Sequence, residues 1–205
     1  MSTTLIMVRH GETVWHGEHR YAGSSDVALT ERGMQQAEEL AEWASRHRPD
    51  VLVSSALSRA WLTADAVAKA TGLEHWTEKD LGEVDFGKGE GLTLDELAEK
   101  YPDAAAAFVA APAQSPMPSG EPGAIAVARA LKVLARIIRD TDGGAALVVG
   151  HGTLMRLVMC TLFSIDPNLY RDVFPEIGNC ALTTLSFEGD KASLLSFNVP
   201  VANAR

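Results

Sequence analysis

Cysteine is nearly missing from this chain, and that scarcity removes several classes of protein at once. Only Cys160 and Cys180 occur in 205 residues, too few for a disulfide framework and without the spacing of a metal site. Both read as small core hydrophobes suited to a reducing compartment, so a cytoplasmic location is expected. Long apolar runs are missing too. The run near the N-terminus, Leu5 to Val8, is four residues long with no cationic flank, so neither a secretory signal nor a membrane span of about 18 apolar residues is expected. Basic residues are scarce: Lys and Arg number 18 against 27 Asp and Glu, a formal charge of −9. A nucleic-acid partner needs a basic face and is not expected. An acidic chain binds an anion only by gathering its few cations in one place, so the position of each Arg and His carries the information.

What remains is ordinary globular composition, 46% hydrophobic and 22% charged, enough for one domain over residues 1–205. Leu5 to Val8, Val51 to Val53 and Ala145 to Val149 read as strands buried on both faces. Between them, Thr30 is a plausible N-cap for a helix reaching about His47, and a second helix runs from about Ser58 to Gly72. A third carries Val127, Ala130, Leu131, Leu134, Ile137 and Ile138 at helical spacing, and Thr153 to Phe163 gives a fourth. Segment 93–111 reads as two short helices around Pro102, and 112–122 as a Pro- and Gly-rich loop. Residues 180–187 and 192–198 suggest a terminal strand pair. The alternation predicts a three-layer α/β/α sandwich with a mostly parallel central sheet and a small lid or cap from residues 84–122.

In such sheets ligands bind beyond the carboxyl ends of the strands. There the chain places Arg9-His10-Gly11-Glu12-Thr13 after the first buried run and His151-Gly152 after the third, while Ser54-Ser55 and Arg59 follow the second. Arg offers a planar fork that matches phosphate oxygens, helix N-termini add backbone N–H groups, and neutral imidazole can attack phosphorus. The expected arrangement is a phosphoryl-transfer site in which Arg9, Arg59 and a protonated His151 hold the oxygens while His10 attacks. Glu12 reads as a loop-fixing hydrogen-bond partner, and Thr13 as a donor to phosphate or to the loop. Arg20 is expected to fix the loop or touch the anion from the rim. Trp43 and Trp61 are expected to pack, with Trp15 as a substrate wall.

The motif Arg9-His10-Gly11-Glu12-Thr13, followed by Arg20, Gly23, Asp26 and Leu29-Thr30, resembles the opening signature of the histidine phosphatase superfamily, also called the phosphoglycerate mutase-like family. The resemblance continues in Ser54 to Ala60 with Thr63-Ala64, in Leu81-Gly82-Glu83 with Phe86-Gly87 and Glu90-Gly91, in Pro118 to Glu121, and in His151-Gly152. It implies a metal-independent phosphatase with no cofactor, acting on a small-molecule phosphate ester through a phosphohistidine on His10. It further implies Glu83 as proton donor beside His151, with Arg9, His16, Arg59 and Gly152 at the phosphate. A homodimer is compatible with it.

Several positions depart from the family pattern. His16 stands where many relatives carry a phosphate-binding Asn, and it reads either as a pH-sensitive donor or as a solvent-facing ring. Gly89 replaces a Trp, Pro122 a Ser, and Thr153 another small residue. These bear on substrate identity and leave the reaction class alone. A mutase of the family would carry a Glu-Arg-x-x-Tyr-Gly-like block, where this chain has Glu83-Val84-Asp85-Phe86-Gly87. Two further alternatives are a metallohydrolase using His10, His16 and His19, whose spacing matches no ligand motif, and a non-catalytic phospholigand-binding module.

Overall fold

The buried runs become the centre of one sheet. A computed structural model describes residues 2–204. In chain order the elements are β1 (Thr3–Arg9), α1 (Glu31–His47), β2 (Val51–Ser55), α2 (Ser58–Thr71), β3 (His75–Glu78), α3 (Leu94–Lys100), α4 (Pro102–Ala110), α5 (Gly123–Thr141), β4 (Ala145–Gly150), α6 (Gly152–Leu162), α7 (Tyr170–Val173), β5 (Leu182–Glu188) and β6 (Lys191–Val199). The strand order is β3-β2-β4-β1-β5-β6. The first four of these are mutually parallel, while β5 runs antiparallel to β1 and β6 antiparallel to β5.

Because side chains alternate across a strand, each central strand feeds two cores. Ile6 and Val8 face Leu40, Ala44, Ala60, Ala64 and Val67 of α1 and α2. Leu5 and Met7 face the other layer, where α5 and α6 contribute Ala130, Leu134, Leu154 and Val158. That gives the three layers. Thr30 caps α1 by accepting from Gly33 N at 2.9 Å, as its position before the amphipathic run predicts. Trp43 is buried, whereas Trp61 is 40% exposed and leans on His75 at the sheet edge. Trp61 thus packs at the rim of the sheet rather than in the core, because β3 is short and is the sheet's edge strand.

Segment 84–122 forms the cap. Pro102 starts α4 immediately after α3, which opens on a capping box between Thr93 and Glu96. Phe86, Leu97, Phe108 and Met117 are buried and join the α5–α6 core, so the cap is packed down rather than hinged free. Among the described residues, no helix is long and apolar enough to cross a membrane.

Candidate active site

Register decides what meets at the sheet edge. Arg9 pairs with Gly150 across β1 and β4, which brings His10 and His151 into adjacent positions just beyond the strands. Their ring centroids are 5.2 Å apart. His10 is clamped from both sides: Nδ1–H donates to Gly11 O at 2.7 Å, while Nε2 accepts from Arg59 Nε at 3.2 Å. This fixes the tautomer with a lone pair on Nε2. Burial, then the charges of His151, Arg9 and Arg59, push the His10 pKa well below its ordinary value. The imidazole is thus neutral and nucleophilic.

The loop that carries His10 is possible only because two glycines touch. A Cβ on Gly11 would lie 2.4 Å from Gly33 O, and one on Gly33 would lie 2.1 Å from Glu12 O. Gly11 N donates to Thr63 Oγ1, and Glu12 accepts from Thr30 Oγ1, so Glu12 fixes the loop as its place in the motif suggests. Asn179, in the loop before β5, donates to His10 O at 2.8 Å. No sequence signal marks Asn179, which comes from an irregular stretch.

Arg59 is wholly buried. Its Nη groups bond Ala22 O, Gly23 O and Ser25 O, and its Nε bonds His10. The loop supplying those carbonyls is itself folded around Glu90, whose carboxylate accepts from the backbone N–H of Gly23, Ser24, Ser25 and Phe86. Arg59 therefore reaches the site through His10. His16 is half-buried and does not face solvent. Its Nε2 accepts from Arg9 Nη2 at 2.5 Å and its Nδ1 lies 2.8 Å from Thr13 Oγ1. Burial, then the charge of Arg9, brings its pKa down to about 4.

Both ring nitrogens of His151, together with Arg9 Nε, are buried and meet no hydrogen-bond partner among the described residues. Burial, followed by the charges of Arg59, Arg9 and Arg129, pushes the His151 pKa well below its ordinary value. A second positive charge beside Arg9 and Arg59 is unfavourable there until an anion supplies the countercharge.

Glu83 comes from the turn after the short 3-10 helix Lys79–Leu81 and points at the start of α6. Its Oε1 accepts from Val84 N at 2.9 Å and Leu154 N at 2.8 Å, and its Oε2 accepts from Thr153 N at 2.9 Å. Arg129 of α5 braces the same turn from behind. It donates to Asp80 O, Gly82 O and Glu83 O, and to both oxygens of Glu121 at 2.8 Å. Glu121 N in turn bonds Asp85 O. The Pro-Ser-Gly-Glu motif thus belongs to the support of Glu83.

A cavity of about 310 Å³ opens over these groups. Arg9, His10, His16 and Glu83 line it, with Trp15, Arg20, Tyr21, Arg156 and Arg171 around them. Arg59, His151 and Gly152 are not among the residues that line it, although Arg59 and His151 neighbour His10. Trp15 occupies the wall as expected, with Gly91 closely packed against its ring. Arg20 spends its fork on Glu96 and Glu18. Among the described residues no group of three or more His, Cys, Asp or Glu is placed to hold a metal ion.

Two histidines, two arginines, one of them wholly buried, and a carboxylate thus meet beyond the carboxyl edge of a mostly parallel sheet, a combination suited to phosphoryl transfer. The sequence profile of the histidine phosphatase superfamily (branch 1) matches residues 5–200, and the chain belongs to that family. It is 36% identical over 162 residues to phosphoserine phosphatase 1 of Hydrogenobacter thermophilus, covering 79% of this chain and 77% of that protein. It is 29% identical over 184 residues to the probable phosphoglycerate mutase GpmB of Salmonella paratyphi C, covering 90% and 85%. The mycobacterial glucosyl-3-phosphoglycerate phosphatase Rv2419c superposes with a TM-score of 0.86 at 27% identity, covering 97% of this chain and all of that one. The chain is accordingly a phosphatase, a hydrolase of phosphate esters in a family that works through phosphohistidine.

Proposed function

We propose that this chain, acting as one domain in the cytoplasm, hydrolyses small phosphate monoesters by transfer of the phosphoryl group to His10 Nε2 and then to water. The observation that carries the assignment is the tautomer lock on His10, which puts its lone pair on Nε2, in one cavity with Glu83. In the first step the Nε2–P bond forms and the ester P–O bond breaks, and the leaving alkoxide takes a proton from Glu83. Oε2 accepts one backbone N–H fewer than Oε1 and is the oxygen suited to carry that proton. In the second step Glu83 takes a proton from water, the oxygen attacks phosphorus and the N–P bond breaks.

Arg9 and the N-terminal N–H of Gly152 at α6 are assigned to the phosphate, with His16 orienting Arg9 through Nε2 and Arg59 orienting His10 and joining the anion when it arrives. His151 takes up a proton with the anion. The buried nitrogens of His151 and Arg9 support this, since each unsatisfied buried donor or acceptor costs about 1–3 kcal/mol until a partner arrives.

A mutase reading has one observation in its favour, the likeness to GpmB. Incubation with 3-phosphoglycerate in the presence of EDTA separates the two. Release of inorganic phosphate is expected; formation of 2-phosphoglycerate without phosphate release would overturn the hydrolase reading. Glu83→Gln is expected to slow alkyl phosphates by about 10²–10⁴-fold and 4-nitrophenyl phosphate far less. Equal slowing of both would remove Glu83 as the acid.

A further inference from the structure

Two cavity arginines are left over once the phosphate has been provided for. Arg156 lies one turn into α6, about 6 Å along the axis from Gly152, and Arg171 lies on α7. Both line the cavity that holds His10 and Glu83. Neither takes part in an ion pair among the described residues, although the chain carries nine more acidic than basic side chains and pairs arginines 20, 32, 129, 136 and 139 with carboxylates. Arg156 is also largely desolvated: burial is the main cause that lowers its pKa from the usual arginine value.

Their geometry is built rather than incidental. Tyr170, almost wholly buried, carries Arg156 at 4.6 Å and Arg171 at 5.3 Å from its ring centroid. Arg171 lies at 4.6 Å from the Phe108 ring and donates from Nε to the Tyr170 hydroxyl at 3.0 Å. Arg156 is tied through Nε to Gly152 O at 3.1 Å and through Nη1 to Phe174 O and Pro175 O at 3.4 Å, which leaves Nη2 for a ligand. Stacking on aromatic rings holds a guanidinium plane flat while its N–H edge stays available for a bidentate anion. The cavity also has room to spare. At about 310 Å³ it equals about ten water volumes of ~30 Å³, more than a phosphoryl group fills.

We propose that Arg156 and Arg171, set by Tyr170 and Phe108, form a second anion subsite, and that the substrate is a phosphate monoester bearing a further anionic group. That group is a carboxylate or a second phosphate, chemistries the arginine fork accepts equally. The inference rests on the phosphatase reading above and narrows it to a substrate class.

Three compounds of equal carbon count test it: glycerol 1-phosphate, 3-phosphoglycerate and 1,3-propanediol bisphosphate, with 4-nitrophenyl phosphate as the reference ester. The subsite predicts kcat/KM for at least one of the doubly anionic esters about 10–100-fold above that for glycerol 1-phosphate, and whichever gains more identifies the second anion. Arg171→Gln and Arg156→Gln should each reduce that ratio by about tenfold. Because the ratio is taken within one preparation, loss of folded enzyme cancels from it. Equal kcat/KM for all three esters, or a ratio that survives in both variants, overturns the subsite. Absence of phosphate release even from 4-nitrophenyl phosphate overturns the phosphatase reading, and the subsite falls with it.

Discussion

Replacing Arg129 by Gln removes a guanidinium that makes five hydrogen bonds, three to the carbonyls of Asp80, Gly82 and Glu83 and two to Glu121. The Arg129 and Glu121 side chains are only 20% and 17% exposed, so water replaces the lost contacts poorly. Hydrogen bonds to charged groups contribute about 1.5–3 kcal/mol each, and bonds within one network do not add. A net loss of about 2–4 kcal/mol follows, with the Asp80 carbonyl, nearest solvent, contributing least. In a chain of this size each kcal/mol moves the melting temperature by about 2–4 °C, so calorimetry should show a fall of roughly 4–16 °C. The turn that holds Glu83 is the part released, so the surviving enzyme should lose activity on alkyl phosphates more than on 4-nitrophenyl phosphate. Arg136→Gln on the same helix is the control. Its pair with Glu78 is half-exposed and should cost under about 1 kcal/mol. A melting temperature for Arg129→Gln that matches the Arg136 variant, with unaltered leaving-group dependence, would refute the brace.

Other consequences are open to measurement. Gly33→Ala, which would ordinarily favour a helix by about 1 kcal/mol, should destabilise by about 3 kcal/mol because its Cβ would lie 2.1 Å from Glu12 O. A urea midpoint equal to or above wild type would contradict that contact. His10, His16 and His151 all have their pKa depressed by folding, so below the ordinary value near 6.5 the unfolded chain binds protons first. Stability should be full above that value and decline as pH falls, with His16 continuing down to about 4. A urea midpoint that is flat from pH 7.5 to 5 would disprove the burial account. Phosphate should protect the fold and raise the pH at which His151 protonates, readable by imidazole NMR; no shift on phosphate titration would separate His151 from the anion.

The three strands and the two histidine addresses could be read from sequence because each rests on a local pattern. Leu5 to Val8 is apolar on successive residues since α1 and α2 cover one face and α5 and α6 the other. His10 and His151 directly follow such runs, and parallel register does the rest. The supports of the site are of another kind. Arg129 is one basic residue among several on a long helix, and its partners are mostly carbonyls in an irregular turn, to which sequence gives no signature. Asn179 reaches His10 from a loop 28 positions after His151. The charge state of His151 depends on desolvation and on charges from groups far apart in the chain, which no local pattern reveals. For Trp61, helical spacing likewise tells which face it occupies but not that the sheet stops there. Arg156 and Arg171 look like ordinary helix charges until Tyr170 places them together.

The claim on which everything turns is covalent transfer to His10 Nε2, and rapid quench with a radiolabelled phosphate ester tests it directly. Acid-labile, base-stable label should appear on the wild-type chain within a turnover, map to the peptide containing His10, and accumulate further in Glu83→Gln, where water attack is slowed. His10→Ala should carry none. Label of undiminished amount on the His10→Ala protein, or steady turnover by it, would contradict the account.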